Sequence, residues 1–326
     1  MRVTVNLSTF KQPLHLRRAL CGYLFQTRPP DELIVADDGT NEDNREILRE
    51  FGARAPFAVR HYRHEHDGWR KNAIVNRAIA GTSSDYIILS DGDCIPRPDF
   101  IAAHERNARP KTFLAGGDYR LPQNVTDDIT AAHVESGAVF RRDFLLGLGL
   151  PPKSKRVKLT ISPRWGRWLD ALNVSPARWG GSNASTWRAD LLAVNGLDES
   201  FTAPCKDDVE MGERLRNLGL ATRHIRYQAI CLHLNHSREY WREGENIENL
   251  SKLGETVRTG RTRTARGIAE ADGNFTVDSY GGGGARLSPA GNKFSSCVSA
   301  SSATPFSRFP FSGTCGGPSP KPTSRG

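Results

Sequence analysis

Residues 85–94 read Asp-Tyr-Ile-Ile-Leu-Ser-Asp-Gly-Asp-Cys, and this stretch decides the fold that the sequence predicts. Residues 86–89 are apolar, β-branched or aromatic and are bounded by polar turn residues, which is typical of a buried parallel strand. The strand delivers two carboxylates, Asp91 and Asp93, and Gly92 lets the backbone turn so that both can converge on one cation. A divalent metal with a phosphate partner would suit that pair, but Asp-Gly is just as typical of an ordinary turn.

The chain before this stretch alternates predicted strands with predicted helices. Strands are predicted at residues 3–7, 32–36 and 57–62, and helices at residues 14–26 and 44–51. This alternation, with carboxylates at strand ends, is typical of a parallel nucleotide-binding sheet. The sequence therefore predicts an α/β fold.

Two further carboxylates, Asp37 and Asp38, close the second predicted strand. Ligands of open α/β sheets bind beyond the carboxyl ends of the strands, so we expect these side chains near Asp91 and Asp93. A charged turn is the simpler interpretation of the same two residues.

The composition is that of a soluble protein. Of the 326 residues, 37% are hydrophobic and 25% are charged. No apolar stretch approaches the roughly 20 residues that a membrane-spanning helix needs, and the N-terminus is too short and too polar for a signal peptide. The six cysteines lack the paired spacing of a zinc site or a disulfide framework, so we expect reduced thiols and a cytoplasmic location.

The formal net charge of +9 favours an anionic partner. Phosphorylated substrates, an acidic membrane surface and nucleic acid all meet this condition. The aromatic residues do not alternate with basic ones as a base-stacking platform requires, so we expect no nucleic-acid partner.

Residues 126–178 are less regular than the chain before them and form a variable basic insertion, in which Trp165 and Trp168 stand beside basic residues. The basic residues are Lys153, Lys155, Arg156, Lys158, Arg164 and Arg167. This segment suits a surface that rests on lipid headgroups, but a solvated insertion is the simpler interpretation.

Ordered structure resumes at residue 179 and continues to about residue 265. A helix is predicted at residues 207–218, a strand at 229–233 and a closing helix at 240–253. Residues 266–326 are rich in glycine, serine and proline and show no periodicity, so they predict a disordered low-complexity tail.

Four segments, in this order along the chain, resemble the family 2 glycosyltransferases of the GT-A fold. They are Val-Thr-Val-Asn-Leu-Ser-Thr-Phe at 3–10, Pro-Asp-Glu-Leu-Ile-Val-Ala-Asp-Asp-Gly at 30–39, Asp-Gly-Asp at 91–93 and Lys-Asp-Asp at 206–208. A fifth segment, Gly-Ser-Asn-Ala at 181–184 followed by Val-Asn-Gly-Leu-Asp-Glu at 194–199, is similar to the galactosyltransferase-type C-terminal half of that group.

This resemblance covers about residues 2–260 and implies a Rossmann-like mixed sheet flanked by helices. Residues 1–125 would form the nucleotide-sugar-binding half, and residues 179–265 the acceptor-side and catalytic half. The implied activity is that of an inverting glycosyltransferase, which moves a hexose from a nucleotide diphosphate donor to a saccharide or lipid-linked acceptor. The first candidate for the donor is a UDP-sugar.

The implied setting is bacterial cell-surface polysaccharide assembly. This setting also allows the protein to bind peripherally at the inner face of the plasma membrane. Two alternatives stay open. One is a catalytically impaired nucleotide-sugar-binding relic. The other is a sugar-nucleotide nucleotidyltransferase, which shares the fold but usually opens with a basic glycine-rich loop that residues 5–10 lack.

The resemblance assigns a metal site for Mn²⁺ or Mg²⁺. Asp93 would ligate the ion while Asp91 reaches the ribose, and the metal would act as a Lewis acid on the diphosphate. His236 resembles the histidine ligand of similar galactosyltransferases, with His233 as its partner. Without the resemblance, a structural histidine is the simpler interpretation of each.

Further residues are assigned to donor binding by their positions in the same motifs. Asp37 and Asp38 resemble carboxylates that contact the uracil or the ribose, and Arg70 or Lys71 could pair with the diphosphate. The remaining candidates are Thr9, Asn76 and Asn183. A solvated helix start for the two cations and a simple turn for Asn183 are the alternatives.

Asp208 is the candidate catalytic base, and Asp207 takes the place of the glutamate that usually precedes it in the family. Both residues open a predicted helix, where a carboxylate is also favoured by the helix dipole alone. The family usually carries Gly-Trp-Gly before these acids, but this chain has Ala-Pro-Cys at 203–205. Because the tryptophan of that motif is missing here, the resemblance does not show how the acceptor sugar would be bound.

Overall fold

The computed structural model of the chain describes residues 1–39, 42–151, 157–236, 243–271 and 273–281. The rest of the chain includes residues 282–326 of the tail that was predicted to be disordered, and Lys153, Lys155 and Arg156 of the basic stretch. Those predictions therefore lie outside the described residues. Within them, no helix is both long and apolar enough to cross a membrane.

The described strands belong to two sheets. They are β1 (Val3–Thr9), β2 (Glu32–Asp37), β3 (Ala58–Arg63), β4 (Tyr86–Asp91), β5 (Cys94–Pro96), β6 (Thr112–Ala115), β7 (Gly117–Arg120), β8 (Asn183–Trp187), β9 (Ala221–His224), β10 (Ile230–His233) and β11 (Thr276–Tyr280). The larger sheet has eight strands in the order β11-β3-β2-β1-β4-β8-β6-β9. The smaller has three, in the order β5-β10-β7.

Helices cover both faces of the large sheet and fill the connections. They are α1 (Pro13–Leu24), α2 (Glu42–Arg54), α3 (Lys71–Gly81), α4 (Phe100–Asn107), α5 (Gln123–Asp128), α6 (Ala131–Glu135), α7 (Arg142–Gly147), α8 (Val157–Thr160), α9 (Pro163–Ala171), α10 (Arg188–Ala193), α11 (Asp207–Asn217) and α12 (Glu243–Thr259). The less regular segment at 126–178 thus contains several short helices.

The large sheet is mixed, which confirms the predicted fold class. Strands β1 to β4 pair parallel with one another in the order β3-β2-β1-β4, whereas β8 runs antiparallel to both β4 and β6. Ser8 of β1 lies opposite Ala36 of β2 and Asp91 of β4. The carboxyl ends of these three strands therefore meet at one edge of the sheet.

The core has an apolar layer on each face of the large sheet because side chains alternate along each strand. On one face, Val5 and Val35 pack in a cluster with Leu16 and Leu20 of α1. On the other face lies a second cluster. It includes Ile34, Ala36, Ile87, Ile74 and Val75 of α3, and Met211 and Leu215 of α11. These layers fix α3 and α11 beneath the strand ends.

The small sheet brings a distant part of the chain to the end of β4. In β10, His233 lies opposite Cys94 of β5. The backbone N–H of Leu234 donates to the Asp93 carbonyl at 2.9 Å. Two chain segments that are far apart in sequence therefore meet at the Asp-Gly-Asp turn.

The disordered tail was predicted to begin too early, at residue 266. A 3₁₀ helix forms at Ile268–Glu270, and β11 pairs antiparallel with β3 at the edge of the large sheet. Asp278 accepts a hydrogen bond from Arg63 Nε at 2.9 Å. The prediction rested on the composition of the whole tail, which does not reveal a single short strand. This strand forms because it pairs with β3.

Candidate active site

A cleft of about 790 Å³ opens at the carboxyl edge of the large sheet. Nine of the residues that sequence analysis selected line it. They are Thr9, Asp38, Lys71, Asp91, Asp93, Asp207, Asp208, His233 and His236. Carboxylates from the end of β4 and from the start of α11 therefore share one hollow.

The Asp-Gly-Asp turn and β10 together form a candidate metal centre. One ligand atom from each of Asp91, Asp93, Cys94 and His233 lies within 4.8 Å of the others. His236 Nε2 is 3.2 Å from Asp93 Oδ2, and His233 Nε2 is 3.8 Å from Asp93 Oδ1. The two imidazoles stack with their centroids 5.9 Å apart.

The chemistry of these donors fits a divalent cation. Burial acts to raise the pKa of Asp93, but the hydrogen bond from His236 and the charges of both histidines outweigh it, so the pKa is lowered and the carboxylate stays ionised. Carboxylate oxygens with an imidazole nitrogen suit Mn²⁺ or Mg²⁺. A hydrogen bond with Cys231 and burial raise the pKa of Cys94 well above its usual range. A thiol is also a soft donor, which suits Mn²⁺ or Mg²⁺ less well than carboxylate oxygen does.

Asp91 is held by two groups from neighbouring elements. The Ser8 hydroxyl donates to its Oδ1 at 2.6 Å. Lys71 Nζ, from the first residue of α3, lies 3.7 Å from the same oxygen. Burial acts to lower the pKa of Lys71, but the carboxylates of Asp91, Asp207, Asp208 and Asp93 raise it above its ordinary value. Lys71 is therefore a fixed cation between the two acidic groups.

The acid pair opens α11 but its two members differ in environment. Asp208 Oδ2 accepts a hydrogen bond from the Gly181 backbone at 2.8 Å, and Oδ1 accepts one from the Val209 backbone at 2.7 Å. Asp207 is only 5% exposed, and burial raises its pKa to about 6, with the charge of Lys71 opposing and that of Asp208 adding to the shift. Asp208 is thus the oriented carboxylate of the pair.

The segment before the acids has unusual backbone geometry. Cys205 has a φ of 109° and Lys206 a φ of 71°. Non-glycine residues in such conformations cost on the order of 1–3 kcal/mol each and persist only when neighbours hold them. Asn249 of α12 does so by donating to the carbonyls of Ala203 and Cys205 at 3.1 and 3.0 Å. The motif that this segment resembles has glycine at the position of Cys205, and glycine adopts a positive φ without strain.

Four predicted donor-binding residues lie outside the cleft lining. Asp37 is 1% exposed and accepts hydrogen bonds from Asn44 and His61. Asn76 donates to the Leu197 carbonyl at 2.8 Å. Both side chains are occupied in contacts that hold elements together.

The other two are Asn183 and Arg70. Asn183 is buried and donates to the carbonyls of Gly117 and Ala229. Arg70 uses its backbone N–H to bind Asp38 Oδ2 at 3.0 Å, while its side chain donates to the Glu65 carbonyl. Arg70 thereby fixes Asp38 in the cleft.

Several cleft residues were not selected from the sequence. Phe10 and His66 stand against each other with ring centroids 4.6 Å apart, and both line the cleft. His64 pairs with the cleft residue Asp38, with its Nε2 2.7 Å from Asp38 Oδ1. The signal was present, because His64 and His66 follow β3, which pairs in parallel with β2 and ends opposite Asp37. Asn249 had no such signal, since only helix packing brings it to the carbonyls of Ala203 and Cys205.

Comparison with known proteins shows what this chain is similar to. Residues 4–145 match the Glycosyl transferase family 2 model. A validoxylamine A glucosyltransferase of Streptomyces hygroscopicus subsp. limoneus is 27% identical over 237 residues, which are 67% of this chain and 48% of the relative. A hyaluronan synthase of Pasteurella multocida is 27% identical over 240 residues, 67% of this chain and 23% of the relative. The chain thus spans about half or less of the length of these relatives.

Solved structures share the fold at low identity. A Pyrobaculum calidifontis mannosyltransferase in complex with GDP-Man and Mn²⁺ has a TM-score of 0.51 and 16% identity, covering 79% of this chain and 64% of its own. GalNAc-T7 with UDP, GalNAc and Mn²⁺ has a TM-score of 0.52 and 12% identity, covering 78% of this chain and 48% of its own. These likenesses show the GT-A fold. The family match ends before residues 181–199, which carry the galactosyltransferase-type resemblance.

Proposed function

We propose, from the Glycosyl transferase family 2 domain at residues 4–145, that this chain is a metal-dependent inverting hexosyltransferase. It moves a hexose from a nucleotide diphosphate donor to a saccharide or lipid-linked acceptor. The first candidate for the donor is a UDP-sugar. The setting of this reaction is bacterial cell-surface polysaccharide synthesis in the cytoplasm. The galactosyltransferase-type C-terminal half belongs to the same proposal.

One observation carries this proposal. A single cleft holds the Asp91 and Asp93 carboxylates, the Lys71 cation and the hydrogen-bonded carboxylate of Asp208. Sugar transfer needs a leaving diphosphate to be neutralised and an acceptor hydroxyl to lose its proton, with both groups aligned. The cleft has side chains for each of these tasks.

On the donor side, Asp93 and His236 would hold the metal, with His233 beside them, and Asp91 would contact the ribose. The bound cation supplies Lewis-acid polarisation of the diphosphate. Lys71 adds a point charge next to Asp91. Thr9 and Asp38 receive the nucleoside, and Phe10 offers an aromatic face for its base.

On the acceptor side, Asp208 takes the proton of the attacking hydroxyl. The N–H groups of Gly181 and Val209 fix the orientation of its carboxylate. The acceptor oxygen forms a bond to the anomeric carbon while the bond from that carbon to the diphosphate oxygen breaks. The nucleoside diphosphate leaves with the electron pair, and attack opposite the leaving group inverts the anomeric centre.

The test is a thermal-shift screen of the whole chain with UDP-, GDP- and dTDP-sugars, each with and without Mn²⁺. We expect one nucleotide sugar to raise the melting temperature above the value with Mn²⁺ alone, and to have no effect without Mn²⁺, because a ligand that binds the native state stabilises it. Asp93→Asn should lose this shift, and Asp127→Asn, on the exposed side of α5, should keep it. If no nucleotide sugar shifts the wild type with Mn²⁺, the proposal is wrong.

A second function, a nucleotide-sugar-binding relic, is favoured by one observation. Pro204 and Cys205 replace the family's tryptophan and second glycine, and Cys205 is held at a φ of 109°. The relic binds donor with Mn²⁺ but releases no nucleotide. Nucleoside diphosphate release from the donor that shifts the melting temperature, measured with a panel of saccharide acceptors, separates the two functions.

A further inference from the structure

Helix α9 is turned so that its small and polar side faces the protein. Gly166 and Asp170, one turn apart, are its buried residues. Asp170 accepts hydrogen bonds from the Tyr227 backbone at 3.2 Å and from Gln228 Nε2 at 3.0 Å. A Cβ at Gly166 would lie 2.6 Å from the Tyr227 carbonyl oxygen, so the helix sits close against this loop.

The apolar side chains of α9 and the residue after it point outward. Trp165, Trp168 and Leu172 are 64%, 55% and 58% exposed. Their spacing of three and four residues places them on one side of the helix. The two indoles lie edge to face with centroids 6.1 Å apart. An amphipathic helix normally buries its apolar side, so this orientation is inverted.

One arginine shares this side of the helix. Arg164 is exposed and lies four residues before Trp168, whereas the exposed Arg167 lies three residues before Asp170, on the flank of the helix. Within the part of the chain that the structure describes, neither makes a hydrogen bond or an ion pair. The acidic residue of α9, Asp170, is buried on the side away from the tryptophans. We call Arg164, Trp165, Trp168 and Leu172 the α9 face, with Arg167 at its edge.

We propose that the α9 face binds the surface of a bilayer that contains anionic phospholipid. Tryptophan favours the level of the headgroups because its ring is apolar and its N–H is polar. Arginine at that level pairs with lipid phosphates, and each such cation strengthens binding to an anionic surface. The contact goes beyond the proposed transfer reaction and does not depend on the donor or the acceptor.

A second copy of the chain suits this face less well than a bilayer does. A symmetric contact would bring the arginines of both copies together, and like charges across an interface are unfavourable. A stable protein interface buries about 1,200 Å² or more in total. Three apolar side chains provide only part of that area, whereas a bilayer needs no matching surface.

The test is co-sedimentation of the whole chain with vesicles. We expect binding to vesicles of phosphatidylcholine and phosphatidylglycerol in equal parts, little binding to phosphatidylcholine alone, and a loss of binding as salt is raised. Arg164→Gln should weaken binding about fivefold, and Arg167→Gln, at the edge of the face, should weaken it less. The double change of Trp165→Ala with Trp168→Ala should weaken it roughly tenfold or more.

Controls come from the same chain. Leu14→Ala, 65% exposed on α1, and Arg258→Gln, exposed at the end of α12, should leave binding unchanged. Because all the altered side chains are exposed, each variant should melt at the wild-type temperature. Equal binding by the α9 variants and the controls, or no binding to the mixed vesicles, would overturn the proposal. So would dimers in sedimentation velocity that the α9 variants abolish while vesicles stay unbound.

Discussion

Lys71 sets the electrostatic balance of the cleft at the scale of single residues. Its ammonium group faces the carboxylates of Asp91, Asp93, Asp207 and Asp208. Two unit charges 4 Å apart interact by about 4 kcal/mol at an effective dielectric constant near 20. One cation cannot offset four anions, so the cleft keeps a negative field that favours a divalent metal. Burial raises the pKa of Asp207, and the charge of Asp208 adds to the shift while that of Lys71 opposes it.

Asp208→Asn should abolish sugar transfer while donor binding persists. Asparagine keeps an oxygen for the Gly181 N–H but cannot accept the acceptor's proton, so we expect turnover to fall about 10²- to 10⁴-fold. The measurement is nucleoside diphosphate release beside the Mn²⁺-dependent thermal shift. Glu213→Gln, further along α11, should keep wild-type turnover. Unchanged turnover in Asp208→Asn would reject this residue as the base.

Asp207→Asn should stabilise the protein at pH 7. The folded-state pKa of Asp207 is about 6, against an ordinary value of 3.8, so between these values the folded state binds more protons than the unfolded state. Stability from this group is therefore lost as pH rises through 6. We expect the variant to gain on the order of 1–3 kcal/mol at pH 7, and the gain should shrink toward zero as pH falls to 4.

The measurement is the free energy of unfolding of both proteins from pH 4 to pH 7, without metal. Asp127→Asn, an exposed change on α5, should show the same pH dependence as the wild type. A gain from Asp207→Asn that is constant with pH would contradict the explanation, because it would not come from the titration of this carboxyl group.

Among the elements, β11 shows how a short strand is held at the edge of a sheet. Its residues pair with β3 from Arg63 to Val59. Tyr280 also meets α2, where a Cβ on Gly52 would collide with the Cβ of Tyr280. Helix α2 therefore needs its glycine because the strand is there.

Gly52→Ala should destabilise the protein although alanine is the better helix former. The collision with Tyr280 forces β11 or α2 to shift, at a cost of about 1–3 kcal/mol. Gly254→Ala in α12, where a Cβ meets nothing within 4 Å, should instead stabilise by about 0.5–1 kcal/mol. Thermal unfolding of both variants checks this. If Gly52→Ala stabilises as much as Gly254→Ala, β11 does not pack on α2.

For the whole molecule, the fold and the candidate metal site are linked. The donors come from the turn after β4 and from the end of β10, which pairs with β5. A cation bound at Asp93 and His236 would therefore join the two sheets as well as serve the donor.

Mn²⁺ alone should stabilise the chain, and a chelator should reverse the effect. At a free concentration of 100 times Kd, the gain is about 2.7 kcal/mol, because binding to the native state shifts the unfolding equilibrium. His236→Ala should lose most of this gain, whereas His224→Ala, on β9, should retain it. Melting temperatures across a Mn²⁺ titration provide the measurement. Equal stabilisation of His236→Ala and the wild type would place the ion elsewhere.

The sequence by itself determined the fold class and the position of the acids at strand ends. The apolar runs that form β1, β2 and β4 and the turn at Asp91 and Asp93 are local patterns, and their periodicity is enough to identify them. The pairing of carboxylates at strand ends then follows from the geometry of parallel strands.

Only the tertiary structure decided which of these side chains reach the cleft. Asp37 and Asp38 are adjacent and both buried, but only Asp38, just after the end of β2, lines the cleft. The meeting of Asp93 with His236, the pairing of β11 and the inverted orientation of α9 depend on contacts between residues far apart in the chain. Local sequence patterns do not predict such contacts, because the contacts depend on how the helices and strands pack against one another and not on the periodicity within each of them.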